Sequence, residues 1–416
     1  MAPRRPAMPL QTLIRALAVG LLLGPAATIA AGFSDRLEVA HALIVERQYG
    51  AARTLLASEV RPLARLPAQQ ALLLAAQAIT EAALHNDPQA IVLVQGALEL
   101  GRHLPQASQQ RLRLLLGQLQ LRSGDYPEAV ESLEAWFDAA RQTTPEAHWL
   151  LASAYLMQDR LDAGAAQLAK GRAAKGQPPE ALQRLLLTAY LRAGRRAEAA
   201  ALLGKLLERN PDNPDDWRRL AALQRELGTD LQALAIMQTL HRRGWLTHES
   251  EFLALAHLQL QLGVPYRAAQ LLEAALQGGQ IAATEANWLV LIRAWQQARE
   301  IARARAAAEQ ASRDRQDPQF TLLQAQLSLQ LADWRSALGA ADRLLARPDA
   351  ANADAAANYR AAAQAVRGIA LARQRHWETA RAALAIAVDD ERFAAQARPW
   401  LDYVAQMIAL PEQSGQ

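Results

Sequence analysis

The sequence predicts an all-α fold: a solenoid of about ten helix-turn-helix repeats with a C-terminal capping helix. Three observations predict it. Ten small residues recur along the 416-residue chain, Ala52, Ala90, Ala129, Gly164, Ala199, Ala233, Ala268, Ala304, Ala337 and Ala380, at separations of 38, 39, 35, 35, 34, 35, 36, 33 and 43. A second small or apolar residue stands twelve positions before each: Ala40, Ala78, Gly117, Ala152, Leu187, Ala221, Ala256, Ile292, Ala325 and Gly368. One small residue on each of two short antiparallel helices is what lets their backbones cross at roughly 8–10 Å, and a fixed period near 34 residues marks a helical repeat array. Finally, no segment alternates apolar and polar residues over a strand's length, so no sheet is expected.

The elements follow in order along the chain. Arg4, Arg5 and Arg15 precede an apolar run from Ala16 to Ala31, interrupted only by Gly20, Gly24-Pro25 and Thr28, with small residues at a cleavage point after Ala30 or Ala31. This reads as an export signal over 1–31. The run is shorter than the roughly 20 residues a spanning helix needs; left uncleaved, it would instead be an N-terminal membrane anchor. Repeats are expected over 33–390. Their inner turns show as Ser123-Gly124-Asp125, Ala193-Gly194-Arg195, Leu227-Gly228-Thr229 and Leu262-Gly263-Val264, where glycine supplies the left-handed backbone of a helix C-cap. Leu100 to Pro105 lengthens one connection, and Arg347 to Asp354 stretches the last spacing to 43, as a surface insertion or an extended helix. A capping helix over 391–410 presents Arg392, Gln396, Arg398 and Asp402, the polar outer face that ends a stack. Residues 411–416 form a disordered tail.

The sharpest repeat carries Tyr190, Gly194, Ala199, Leu203 and Asn210-Pro211, followed by Asn213-Pro214 and Trp217-Arg218-Arg219-Leu220-Ala221. This resembles the tetratricopeptide repeat (TPR) family over about 35–390, most closely over 110–305. The resemblance implies a right-handed α-solenoid whose first helices line a concave groove. Leu187 and Ile292 depart from the family pattern by replacing its small residue.

Composition fits and excludes. Hydrophobic residues are 51% of the chain but aromatics only 5%, as expected of helices meeting through alanine and leucine. The net charge is +4, and residues 1–31 carry three arginines and no acid, so +4 minus 3 leaves about +1 on an exported chain. That balance gives no reason to expect a nucleic-acid partner. With no cysteine there is no disulfide, thiolate metal site or lipid attachment. His241, His248 and His257 lack the spacing of a helical zinc site, and no phosphate-binding glycine loop or nucleophile elbow occurs. Asp215-Asp216 and Asp389-Asp390 stand at helix starts, where carboxylates cap exposed N–H groups. No catalytic residue, cofactor or metal is expected, and the protein is read as a non-enzyme.

What remains is the surface. Positions three before and one, four and five after the small residue of each first helix fall on the groove side. They include Leu114, Gln118, Leu121 and Arg122; Trp149, Ser153, Leu156 and Met157; Arg184, Thr188, Leu191 and Arg192; Arg218, Ala222, Arg225 and Glu226; Leu253, His257, Leu260 and Gln261; and Leu289, Arg293, Gln296 and Gln297. The candidate protein-binding residues are Trp149, Arg184, Thr188, Arg192, Arg218, Arg225, His257, Arg293 and Gln296. Such arginines can dock an acidic or extended peptide through charge-assisted hydrogen bonds; the alternative is a merely solvated polar face. The Asn and Lys positions of the family's carboxylate-clamp members are occupied here by other residues.

Arg243-Gly244-Trp245-Leu246 with Leu262 to Glu273 resembles exported bacterial repeat proteins encoded beside TonB, ExbB and ExbD energy-transduction components. This implies a periplasmic interaction scaffold accessory to TonB-dependent outer-membrane transport, bound to a cell-envelope protein or peptide and to membrane only through partners. The alternative is a scaffold for exopolysaccharide export or outer-membrane assembly.

Overall fold

A computed structural model describes residues 31–347 and 353–409. The expected signal over 1–31, save its last residue, and the tail after 409 lie outside them. All regular structure among the described residues is helical. The chain divides into two compact units, Met1–Pro211 and Asp212–Gln416.

The first unit holds five helical hairpins: α1 Ala31–Val45 with α2 Tyr49–Leu55, α3 Pro67–Ala83 with α4 Asp87–Glu99, and α5 Gln106–Ser123 with α6 Tyr126–Ala139. Next come α7 Pro145–Met157 with α8 Leu161–Ala173, and α9 Glu180–Arg192 with α10 Arg196–Arg209. A π turn over Leu56–Val60 and a 3-10 turn over Arg61–Leu63 extend α2, and another 3-10 turn, Gly101–His103, joins α4 to α5. These additions account for the two longest early spacings. The second unit continues with α11 Pro214–Glu226 and α12 Asp230–Arg242, α13 Glu249–Gln261 and α14 Pro265–Gln277, and α15 Glu285–Gln297 and α16 Ile301–Arg315. It ends with α17 Pro318–Gln330 and α18 Trp334–Leu345, α19 Ala353–Arg373 and α20 Trp377–Val388, and the last helix, α21 Glu391–Ala409. At 21 residues α19 is the extended helix that stretches the final period.

One local rule builds every hairpin. Five residues before each small residue the backbone turns left-handed: Arg47, His85, Gly124, Asp159, Gly194, Gly228, Gly263, Arg299, Ala332 and Arg375 all have φ between 56° and 93°. The next N–H then reaches back to a carbonyl five residues earlier at 2.8–3.0 Å, from Gln48 to Leu43 through His376 to Leu371. This is the Schellman closure, which satisfies carbonyls that a helix end leaves open. The second helix starts at once, and its small residue donates its N–H to the carbonyl four residues back at 2.9–3.3 Å in all ten repeats. The small residue is therefore always in the first full turn of the second helix.

Packing confirms the register. The nine alanines of the second-helix series are all 0% exposed, and Gly164 is buried with them. A Cβ on Gly117 would lie 2.6 Å from Leu133 Cγ, on Gly164 2.7 Å from Leu156 Cγ, and on Gly368 2.5 Å from Leu384 Cγ. Glycine there is the consequence of a leucine from the facing helix occupying the methyl's place. Leu187 and Ile292 are also buried; at those repeats the crossing accepts a larger side chain. The core this produces is alanine-rich, as in the cluster of Ala325, Ala337, Ala340, Ala341, Leu344, Ala363, Val366 and Ala370.

Candidate protein-binding surface

Within the first unit successive first helices touch, α1 with α3, α5 with α7 and α7 with α9; in the second, α17 touches α19 and α19 touches α21. First helices thus pack on one another along the first unit and at the end of the second, and the side chains that first helices turn outward form a surface of their own. Arginines in the turns and on the second helices tie successive repeats together. Arg195 Nη1 pairs with Asp162 from the repeat before, Arg243 with Asp212 at 2.7 Å, Arg305 with Asp333 at 2.6 Å, and Arg209 with Gln177 at 2.6 Å.

The expected groove residues separate into three groups when traced in the structure. Trp149, in the first unit, is a correction: it is only 8% exposed, and Cβ atoms on Gly171 or Gly176 would come within 2.9 Å of its ring. The two glycines make room for the indole inside the hairpin, so it packs the core and presents no binding surface. Leu156, against Gly164 of the facing helix, and Gln118 are buried as well.

Arg218 is the second correction. Its Nε donates to Glu251 Oε1 at 2.6 Å, Nη1 to Asp215 at 3.0 Å, and Nη2 to the Trp245 carbonyl at 2.5 Å. Glu251 in turn accepts the backbone N–H groups of Thr247 at 2.8 Å and His248 at 3.0 Å, capping α13. Burial pushes the Glu251 carboxyl up, but these N–H groups and the Arg218 guanidinium outweigh it and hold it below the usual carboxylate range. Arg218 is a structural clamp between α11 and the start of α13, with its donors already engaged. Arg184 is likewise occupied, Nε donating to Glu180 at 2.8 Å.

The third group stays open to solvent. In the first unit it comprises Thr188 and Arg192 on α9. In the second, Arg225 on α11, His257 on α13 and Arg293 on α15 are exposed, with half-buried Gln296 beside them. Arg192, Arg225, His257 and Arg293 have no ion pair or side-chain hydrogen bond among the described residues. Gln261, one turn beyond His257, is held by Asp230 at 2.9 Å.

Of the two acidic pairs expected to cap helices, Asp389-Asp390 supplies one cap and Asp215-Asp216 is a correction, its backbone N–H groups being the ones capped. Asn213, not an aspartate, caps α11, accepting from Asp215 N at 3.2 Å and Asp216 N at 3.4 Å and donating back to Asp216 at 2.9 Å. Asp390 accepts from Arg392 N at 3.0 Å at the start of α21. Among the acidic groups, shifted titration belongs to structural carboxylates or to tyrosines raised by burial: Asp333 is lowered first by the Ser336 hydroxyl and N–H and then by Arg305, and Tyr155 is pushed up to about 12 by burial and by Glu134, which accepts its hydroxyl hydrogen. Among the described residues no three His, Cys, Asp or Glu side chains are placed to hold a metal ion, and no helix is long and apolar enough to cross a membrane.

The tetratricopeptide repeat family profile matches residues 180–223, spanning α9 to most of α11. No curated protein matches the chain. Among solved structures, it is similar to a tetratricopeptide repeat protein from Parabacteroides merdae at 13% identity, over 63% of this chain and 98% of that one, with a TM-score of 0.38. It is also similar to the TPR domain of P58(IPK) at 14% identity, over 92% and 100%, with a TM-score of 0.26. The TPR2AB domain of yeast Sti1, solved in complex with pHSP90, aligns at 15% identity over 63% and 98%, with a TM-score of 0.31. Likenesses of that size carry no functional argument, and the fold rests on the hairpins themselves.

Proposed function

We propose that the protein is a non-enzymatic periplasmic scaffold that holds an acidic, extended segment of a cell-envelope protein on its first-helix surface, as an accessory to TonB-dependent outer-membrane transport. The observation that carries the binding reading lies in the second unit. Arg225, His257 and Arg293 are exposed on three consecutive first helices without partners, whereas Arg218, Arg243 and Arg305 are tied into the scaffold. Unpaired guanidinium groups presented by rigid helices are pre-organised for carboxylates. The periplasmic address is supported by the basic, then apolar, then small-residue pattern of 1–31, and the transport partner by the resemblance of 243–246 and 262–273.

The test is binding of the purified periplasmic segments of TonB and ExbD to the exported chain by biolayer interferometry. Binding to either, weakened at least about tenfold by Arg225→Glu with Arg293→Glu, is the expected result. Undiminished binding in the folded double variant overturns the surface, and no binding of either segment to the unmodified chain overturns the partner.

A further inference from the structure

A cavity of about 620 Å³ lies on the other side of the second unit, between α12 and α14 and above α13. That volume falls within the usual range of ligand pockets. Its α13 residues are Phe252, Leu255 and Gln259. His257, on the first-helix surface, stands roughly 140–200° around the same helix from all three, given 3.6 residues per turn. The two surfaces are therefore separate.

The chemistry of the lining is specific. Buried Phe252, Leu255 and Leu271 make an apolar floor, and exposed His241, Arg242 and Arg267 stand on its rim. No carboxylate lines the cavity. Arg242 has only a 3.4 Å bond to Thr239 on its own helix, and Arg267 has no side-chain partner among the described residues. The decisive group is Gln259. It is 5% exposed, yet its side-chain Oε1 has no hydrogen-bond donor. A buried acceptor left unsatisfied is costly, so a ligand N–H that meets the amide as the side chain turns into the cleft removes an existing penalty. Floor, rim and acceptor together ask for aliphatic side chains, carboxylates and a donor, which an extended acidic and aliphatic peptide supplies at alternate positions and along its backbone.

We propose that the cleft between α12 and α14 is a second peptide-binding site, taking an extended acidic and aliphatic segment of a protein partner. It does not depend on the first-helix surface. Val264, Arg267, Gln270 and Leu271 of its lining belong to the 262–273 stretch that stands out in the sequence.

The experiment is fluorescence anisotropy of the full exported chain with a short fluorescein-labelled peptide alternating glutamate and leucine, and with a lysine and leucine peptide as its counterpart. Saturable binding of the acidic peptide alone is expected, weakened at least about tenfold by Arg242→Glu with Arg267→Glu. Ala274→Trp, which fills the cleft from an exposed lining position without changing charge, is expected to weaken it similarly. Arg225→Glu with Arg293→Glu leaves it unchanged, which separates this site from the first-helix surface. Absence of saturable binding, wild-type affinity in both cleft variants, or binding lost only with Arg225 and Arg293 overturns the proposal. So does a dimer of the chain that Arg242→Glu with Arg267→Glu dissociates, since a second copy would then be the occupant.

Discussion

Replacing Ala332 with glycine should stabilise the protein, against the usual effect of that substitution in a helical chain. Ala332 closes the turn between α17 and α18 with φ of +56°, and the Asp333 N–H bonds Ser328 O at 3.0 Å because of it. A left-handed conformation costs a residue with a Cβ about 1–2 kcal/mol. Glycine removes that strain but gives the unfolded chain extra freedom worth about 0.4–1 kcal/mol. Ala332 is exposed, so no buried methyl is lost. The difference is a net gain of about 0.8 kcal/mol, or roughly fourfold slower opening when about 1.4 kcal/mol is tenfold. Because repeat arrays open locally and need not unfold in one step, the assay is native-state hydrogen exchange followed by mass spectrometry on peptides covering α17 and α18. Gly228→Ala is the reciprocal test. Gly228 has φ of +71°, and a Cβ there meets nothing within 4 Å, so only backbone strain enters and the same magnitude should appear as destabilisation. Faster exchange in Ala332→Gly, or an unchanged Gly228→Ala, would refute the turn as the organising element.

Other substitutions test the remaining layers. Gly117→Ala and Gly368→Ala should each destabilise by about 1–3 kcal/mol through overpacking against Leu133 and Leu384, read as a lower midpoint in urea. Arg218→Ala should loosen α11 from α13 by about 1–3 kcal/mol, because Glu251 loses a charged partner, read as faster exchange at the start of α13. The lowered Glu251 titration sets the pH dependence: its contribution is fully present above the ordinary carboxylate value near 4 and is lost as pH falls through the lower folded value. Thermal melts between about pH 5 and pH 3 should thus show a steeper acid loss for the unmodified chain than for Arg218→Ala. Arg192→Glu, on an exposed first-helix position of the first unit, should leave melting unchanged and report only on partner binding.

The hairpins were legible because the constraint behind them is local and repeated. A methyl-sized gap at each crossing leaves a small residue that can be counted, and the nine alanines so placed are fully buried. The turns were half legible. Gly124, Gly194, Gly228 and Gly263 announce a left-handed residue, but Arg47, His85, Asp159, Arg299, Ala332 and Arg375 adopt the same conformation because the closing hydrogen bond and the packed helices impose it. The surface was least legible. Helical spacing says which way Arg218 and Trp149 start out from the backbone, but not that Glu251, 33 residues on, captures the guanidinium or that Gly171 and Gly176 open a slot for the indole. The cleft of Arg242, Gln259 and Arg267 escaped because three helices contribute to it. The one signal available was Arg267 and Gln270 standing off the core positions within the stretch 262–273.

The central claim, that the first-helix surface is where a cell-envelope protein binds, is tested most directly by photo-crosslinking in living cells. A photoreactive residue would replace His257, with a control at exposed Ala302 on α16, and adducts would be identified by mass spectrometry. Enrichment of TonB, ExbD or an outer-membrane receptor at position 257 and not at 302 is the predicted result. Identical adducts at both positions, or none specific to 257, would contradict it.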